Sequence, residues 1–383
     1  MKPTSVETVI VGAGISGLAC ANKLYSAGKD FVIVSKDVGG RIKVSKKDPR
    51  INFGGVYINK DYFNLMPHVD IVEIFRVRDF AFFNGKTFKT IFSVSNLKYY
   101  PKIIRFVFLL RRFRNRLNVM RKLAENEELR TVIARDPLLK KYWEMPVTIF
   151  LKENNFEDID YLFGQPTSGT NFFTTSSELN TFYYLFLFIS MIRPSYIVDL
   201  SKTTQRLSSR FESKLILGEV VAIKKQKNGS FVISTKKMQF HASNVVVAAP
   251  YLDVKAAHPL PKPGKTTSVY TFYVRGIRKK EFSSAKGIVL HPKFHDAYLL
   301  WRQLSGGDII YSKVANLDLS KYYDSFTVVE KVYWKTAAHL PGKQLIPQNL
   351  DDGLYLASDY NYSLMEDAFI TGLYAANQII SKK

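Results

Sequence analysis

Three glycines near the start of the chain are the residues best placed to do chemistry, because they let backbone press against a charged ligand. Gly12, Gly14 and Gly17 form a Gly-x-Gly-x-x-Gly turn between an apolar run, Val9-Ile10-Val11, and the helix-like stretch Leu18 to Leu24. A second apolar run, Phe31-Val32-Ile33-Val34, follows. Strand, tight turn, helix, strand is the setting in which such a turn binds a dinucleotide. Gly12 permits the turn, Gly14 lets the backbone approach a pyrophosphate, and Gly17 lets helix and strand pack closely. The helix N-terminus then points free N–H groups and a partial positive charge at the phosphates. Alone, the turn suits NAD as well as other dinucleotides, and a glycine turn without ligand is the plain alternative.

Other reactive groupings are scarce. The single cysteine, Cys20, excludes an intramolecular disulfide framework and any cysteine-built zinc or iron–sulfur site. His291 and His295 stand four apart beside Asp296, but Pro292 interrupts the helix that would align them, so no metal is expected. No Ser/His/Asp or Cys/His arrangement follows from spacing, and no catalytic residue is assigned.

The chain has 383 residues, enough for two domains or for one nucleotide domain with a large insertion. With 46% apolar and 14% aromatic residues it can build a substantial core. A net charge of +22 favours polyanionic partners such as nucleic acid, anionic lipid or phosphorylated metabolites, although solubility alone also produces basic surfaces. Nucleic acid is not expected, since no recognised module accompanies the basic–aromatic interleaving at Arg112-Phe113-Arg114. Lys102 to Lys122 carries eight basic residues and no acidic one, with Ile103, Phe106, Val107, Leu110, Phe113, Leu117 and Met120 at helical spacing. It reads either as a core-packed helix with a solvated basic face or as one lying in an anionic membrane interface. Phe182 to Ile192 is too short to span a bilayer and reads as a buried helix or the wall of an apolar tunnel. Met1 to Glu7 is polar and unlike a leader, so the expected location is the cytoplasm, with peripheral membrane attachment through 102–122 as the variation.

These residues need elements to hold them. Lys227-Asn228-Gly229-Ser230 predicts a hairpin turn between Val220 to Ile223 and Phe231 to Ser234. Val245 to Pro250 is a buried strand, and the aromatic runs Val269 to Val274 and Ala297 to Trp301 are strands of a second sheet. Gly353 to Ala357 and Met365 to Ile380 read as one more strand and a closing helix. The expected fold is α/β with an α+β substrate part. A Rossmann-like nucleotide domain (1–58, 197–250 and 343–383) is interleaved with a mixed sheet-plus-helices substrate domain (59–196 and 251–342).

Five pieces occur in order: the Gly12/Gly14/Gly17 turn, Gly39-Gly40-Arg41, Asn52-Phe53-Gly54-Gly55, Val245 to Pro250, and Leu354 to Ala376. Together they resemble the FAD-dependent amine oxidase superfamily, which includes phytoene desaturases, protoporphyrinogen oxidase and renalase-like proteins. The resemblance implies FAD, held non-covalently because the family's attachment cysteine lies near the C-terminus and the only cysteine here is Cys20. It places Gly12, Gly14, Ile15, Ser16 and Gly17 on the pyrophosphate, Ser35 and Lys36 at the ribose end, and Gly40 and Arg41 beside the phosphates or ribityl chain. Gly54, Gly55 and Val56 would approach the ligand closely, and Val220 would meet the adenine through its backbone. Ala249 joins this set, Asp359 would accept from the ribityl or pyrophosphate region, and the Met365 amide would face the flavin pyrimidine.

The implied reaction is hydride removal from a C–C or C–N bond of a lipophilic, isoprenoid-like small molecule. A flavin amine oxidase, and a flavin-binding membrane-associated protein without turnover, are the alternatives. Three departures from the family pattern stand out. Ser35-Lys36 replaces the carboxylate that ends the second strand, Ser358 replaces a glycine before Asp359, and Lys265 is displaced from the position of the family's flavin-side lysine.

Overall fold

A computed structural model describes residues 4–55, 57–250, 264–283, 285–362 and 364–382, so the expected role of Val56 lies outside the described residues. The glycine turn joins strand β1 (Thr4–Ala13) to helix α1 (Ile15–Ser26), and β2 (Phe31–Val38) follows. Val9, Ile10 and Val11 of β1 are all buried. Burial on both faces explains why the run is continuously apolar rather than alternating. Each such side chain contributes about 1.5–3 kcal/mol when fully removed from water.

β1 pairs in parallel with β2 on one side and with the strand Gln239–Val247 on the other. Leu354–Leu356 extends the sheet in parallel beyond Gln239–Val247, and Leu215–Leu217 does so beyond β2. The Val220–Lys225 and Phe231–Thr235 hairpin folds antiparallel onto Gln239–Val247 around Gly229, whose φ is 86°. The closing helix, Met365–Ser381, packs across α1. At that crossing a Cβ on Gly372 would lie 2.1 Å from the Ser16 carbonyl oxygen.

A seven-stranded sheet forms the second layer, in the order 323–339, 266–278, 308–312, 297–302, 287–290, 80–83, 88–89. It is antiparallel apart from the parallel pair 287–290 and 80–83. A small antiparallel sheet, Tyr57–Asn59, Ser195–Asp199 and Asp70–Phe75, links the two layers. The molecule is therefore mixed α/β.

Helix α2 (Tyr100–Leu123) buries Phe106, Leu110, Phe113, Leu117 and Met120 as one stripe. Phe106 meets Phe156 and Phe188 edge-on, and Phe113 meets Phe182. Arg121, also buried, is bonded twice to Asp367 of the closing helix, at 3.0 and 2.6 Å, and donates to the Asp61 carbonyl. The opposite face leaves Ile104, Phe108 and Val119 in solvent. The Phe182–Ile192 stretch forms two short helices, Thr181–Leu187 and Ile189–Ile192, the first capped by Asn180. Among the described residues no helix is long and apolar enough to cross a membrane.

Candidate functional site

The glycine turn divides its labour by space. Gly12 has φ +110°, a conformation that strains any residue with a Cβ, and its own Cβ would meet the Ala248 carbonyl oxygen at 2.7 Å. A Cβ at Gly17 would lie 2.0 Å from the Gly12 oxygen, so helix and turn touch there. At Gly14 a Cβ would meet nothing within 4 Å. That open face lies at the N-terminus of α1, which has no side-chain cap and no acidic residue in its first turn. Orphan N–H groups beside open space fit a pyrophosphate. Gly40 closes the cradle, its would-be Cβ lying 3.2 Å from the Gly14 Cα.

At the ribose end, Ser35 is turned inward. Its hydroxyl accepts the Ala13 N–H (3.0 Å) and donates to the Asp37 carbonyl (2.6 Å), bracing the turn. The Ser35 carbonyl in turn accepts the Gly218 N–H at 2.8 Å, which brings Glu219 and Val220 to the end of β2. Lys36 there forms an ion pair with Glu219 at 3.1 Å. A carboxylate thus reaches this region from a neighbouring loop. Sequence reasoning missed Glu219, although its place directly before Val220 was a usable signal.

Arg41 and Asp359, 318 residues apart, meet as an ion pair, with Asp359 buried and Arg41 partly exposed. Arg41 also donates to the Ala337 carbonyl at 3.3 Å. His339, buried, places its Nε2 3.8 Å from the other Asp359 oxygen, and its ring meets that of Tyr360 at a tilt, with centroids 4.8 Å apart. Burial holds the His339 pKa below the usual histidine range, against the pull of Asp359. The Tyr360 hydroxyl donates to the Ala249 carbonyl at 3.4 Å, and its N–H donates to the Ser358 hydroxyl. Arg41, Ala249 and Asp359 are therefore one cluster, to which the structure adds His339 and Tyr360. Nothing in their spacing marked those two.

The Met365 side chain lies against Gly55, where a Cβ would be 2.8 Å from its Cε. Tyr311 donates to the Gly54 carbonyl at 3.0 Å, fixing the glycine pair from the second sheet. Just past Met365, the buried Glu366 carboxylate accepts the N–H groups of Asn64 (2.9 Å) and Leu65 (3.0 Å). With the Arg121–Asp367 bonds, this locks the start of the closing helix. Lys265 is exposed and pairs with Glu178 at 2.7 Å.

Two residues beyond Gly55, Tyr57 opens a cavity between the second sheet and the helices. Phe75, Phe80, Phe82, Leu299 and Trp301 line the sheet side, and Phe163, Leu187 and Phe188 the helical side. Its polar fixtures are few: the Tyr57 hydroxyl donates to Asn171 Oδ1 at 2.7 Å, and Thr167, Thr170 and Ser190 contribute hydroxyls. Burial pushes the Tyr57 phenol up to about 12, so it stays a neutral donor. Among the described residues, none that lines this cavity is charged. Within the Phe182–Ile192 stretch, Phe182 to Leu185 are core while Leu187, Phe188 and Ser190 face the cavity.

No curated protein matches the chain at the level of sequence. Among solved structures, it superposes on putrescine oxidase bound to putrescine with a TM-score of 0.72 at 13% identity, covering 100% of both chains. Cyclohexylamine oxidase from Brevibacterium oxydans IH-35A gives 0.69 at 13% identity, with 98% of this chain and 99% of that one covered. A CLA-producing fatty acid isomerase from P. acnes gives 0.68 at 12%, covering 98% of each. At these identities the likeness speaks for the fold alone. The family model described as flavin containing amine oxidoreductase matches residues 15–291. With the open glycine cradle, the Arg41–Asp359 pair and that match over most of its length, the chain belongs to the flavin-containing amine oxidoreductase family and is an FAD-dependent oxidoreductase.

Proposed function

We propose that this oxidoreductase removes a hydride from a C–H bond of a lipophilic small molecule held in the uncharged cavity beside Tyr57. The supporting observation is the lining itself: aromatic and aliphatic surface with no charged side chain among the described residues. A protonated amine would find no carboxylate there, and leaving its charge unpaired in such surroundings costs several kcal/mol, roughly. Each methylene buried in the cavity instead contributes about 0.8 kcal/mol. When bound, the isoalloxazine of FAD supplies the hydride acceptor.

In this reading the chain's own residues bind and orient. Gly12, Gly14, Ile15, Ser16, Gly17 and Gly40 hold the pyrophosphate, and Arg41, set by Asp359, lies beside it. Val220 and the Lys36–Glu219 pair frame the adenosine end, while Ser35 braces the turn from behind. Gly54, Gly55, Ala249 and Met365 shape the flavin end, and Tyr57 with Asn171 orients the substrate. The nucleotide domain would comprise 1–58, 197–250 and 343–383, and the substrate domain 59–196 and 251–342. The test is anaerobic: a long-chain apolar substrate should bleach the flavin of the purified protein. Bleaching by a diamine, with none by an apolar series, would overturn the reading.

The outer face of α2 supports peripheral contact with an anionic membrane. Four of its eight cations are neutralised: Lys102 by Asp158, Arg114 by Asp61, Arg116 by Asp136 and Arg121 by Asp367. Arg105, Arg111, Arg112 and Lys122 have no acidic partner among the described residues. On the same helix Ile104 and Phe108 stand in solvent, Phe108 63% exposed and within cation–π reach of Arg111. Exposed apolar side chains on a helix with unpaired cations suit an anionic lipid interface. Vesicle flotation should drop for Phe108→Asp and for Arg111→Glu/Arg112→Glu. Unchanged flotation would reject the face.

A further inference from the structure

Hydrogen bonds fix where the protons lie in the cavity beside Tyr57. Asn171 stands on the helix Gln165–Phe172, one turn after Thr167. Its side-chain amide nitrogen donates to the Thr167 carbonyl oxygen at 2.9 Å. A carbonyl can only accept, so the Asn171 NH₂ must face it and Oδ1 must point away. Oδ1, which also only accepts, lies 2.7 Å from the Tyr57 oxygen. The Tyr57 proton is therefore committed to Asn171. Burial pushes that phenol up to about 12, so the proton stays in place at neutral pH. The Tyr57 ring is itself held edge-on by Phe75, with centroids 5.1 Å apart.

What Tyr57 has left to offer is its lone pairs, and among the described residues no donor reaches them. The Thr170 hydroxyl is committed in the same way, donating to the Pro166 carbonyl at 3.0 Å with the Tyr298 carbonyl at 3.4 Å. Thr167 and Ser190 add hydroxyls that rotate to give or take a proton, and Trp301 an indole N–H that only gives. A ligand atom beside Tyr57 must therefore bring a hydrogen. A carbonyl or ether oxygen there would face the phenol's lone pairs. A hydroxyl donates to Tyr57 and can still accept from a rotatable neighbour such as Thr167 or Ser190. An ammonium brings hydrogens too, but no described residue of the lining carries a charge to balance it.

We propose that the substrate class is lipophilic alcohols, the hydroxyl docking on the Tyr57 oxygen while the hydrocarbon fills the rest of the cavity. The proposal rests on the reading of that cavity as the substrate site. Asn171 is a positioning residue that acts through Tyr57: by taking the phenol proton it makes Tyr57 an acceptor. Because the Thr167 carbonyl orients Asn171, the preference is set by helix backbone rather than by a side chain free to turn.

The experiment uses the holoenzyme and three probes on one hydrocarbon skeleton: a medium-chain secondary alcohol, the corresponding ketone and the methyl ether of the alcohol. Binding is measured by anaerobic titration calorimetry. The alcohol should bind about three- to tenfold tighter than the ketone or the ether. Asn171→Leu frees the Tyr57 proton, so ketone binding should rise to match the alcohol at unchanged flavin content. Adding Tyr57→Phe to that variant should take the ketone's gain away. Ketone binding as tight as alcohol binding in the unmodified protein, a comparison that needs no variant, would overturn the proposal. An unchanged ranking in Asn171→Leu would do the same. The underlying reading is tested separately by Leu299→Trp, which fills the cavity and should weaken all three probes. Binding untouched by Leu299→Trp would sink the cavity reading itself. Binding that is lost in Leu299→Trp, with alcohol and ketone alike before it, would sink only the hydroxyl site.

Discussion

Around Gly14 the backbone itself faces the ligand space, and the charges nearby come as pairs, Arg41 with Asp359 and Lys36 with Glu219. The cavity beyond Tyr57 is the reverse, a volume bounded by aromatic rings and aliphatic chains, with no charge among the described residues that line it. The first region recognises by close approach and fixed dipoles, the second by area and shape. Changes in one should therefore register as cofactor content and changes in the other as substrate affinity.

The largest expected effect comes from within the glycine turn. Gly17→Val should abolish folded yellow protein, because there is no room for a Cβ 2.0 Å from the Gly12 oxygen. Gly14→Ala, three residues earlier, should leave the melting temperature of the flavin-free protein unchanged yet raise the FAD dissociation constant about tenfold or more. Equal thermal losses in the two variants would break the distinction between packing glycine and ligand-facing glycine. Next in size is Asp359→Asn, which removes the charge that sets Arg41. FAD affinity should fall about tenfold, while affinity for an apolar probe measured on FAD-saturated protein stays the same.

On the other side, Leu299→Trp should raise KM for apolar substrates several-fold at constant flavin content. In the unmodified protein, each methylene added to the substrate should tighten binding about fourfold until the cavity is full. A flat chain-length series would show that area is not what selects. Acid sensitivity gives a smaller signal. Burial, followed by Lys313 and Lys321, pushes His295 down to about 4, and burial also lowers His68, His291 and His339. The unfolded chain takes up those protons near pH 6.5, so the folded state binds fewer between the two values. Stability is fully present above pH 6.5 and is lost as pH falls toward 4, and His295→Gln should flatten part of that fall in a Tm-versus-pH series. The smallest effect is expected from Glu219→Gln, a few-fold rise in the FAD dissociation constant, because its ion pair with Lys36 is exposed to solvent screening.

Much of the nucleotide side was legible because its information is local. Val9 to Val34 carries strand, turn, helix and strand within one window, and the pairing of β1 with β2 follows from it. Arg41 and Asp359 came from the order of five short pieces rather than from spacing. Glu219 did not emerge, since only the Gly218–Ser35 hydrogen bond brings that loop to the end of β2. The cavity was less legible still. Tyr57, Phe82, Asn171, Leu187 and Trp301 come from five separate elements, each of which reads as ordinary core until the second sheet is assembled. The basic helix was read correctly as a pattern, but half of its cations are paired with acids supplied by other segments.

The register of β1 has a consequence for how the protein is made. Val9 lies between Val32 and Val245, so one neighbour of the first strand is available almost at once while the other is more than two hundred residues downstream. A ribosome must synthesise well over half the chain before β1 is paired on both edges. Until then the apolar Val9-Ile10-Val11 half of the strand has an open side, and closing so long a loop is a slow step. During synthesis that edge is the part of the nascent chain most in need of a chaperone.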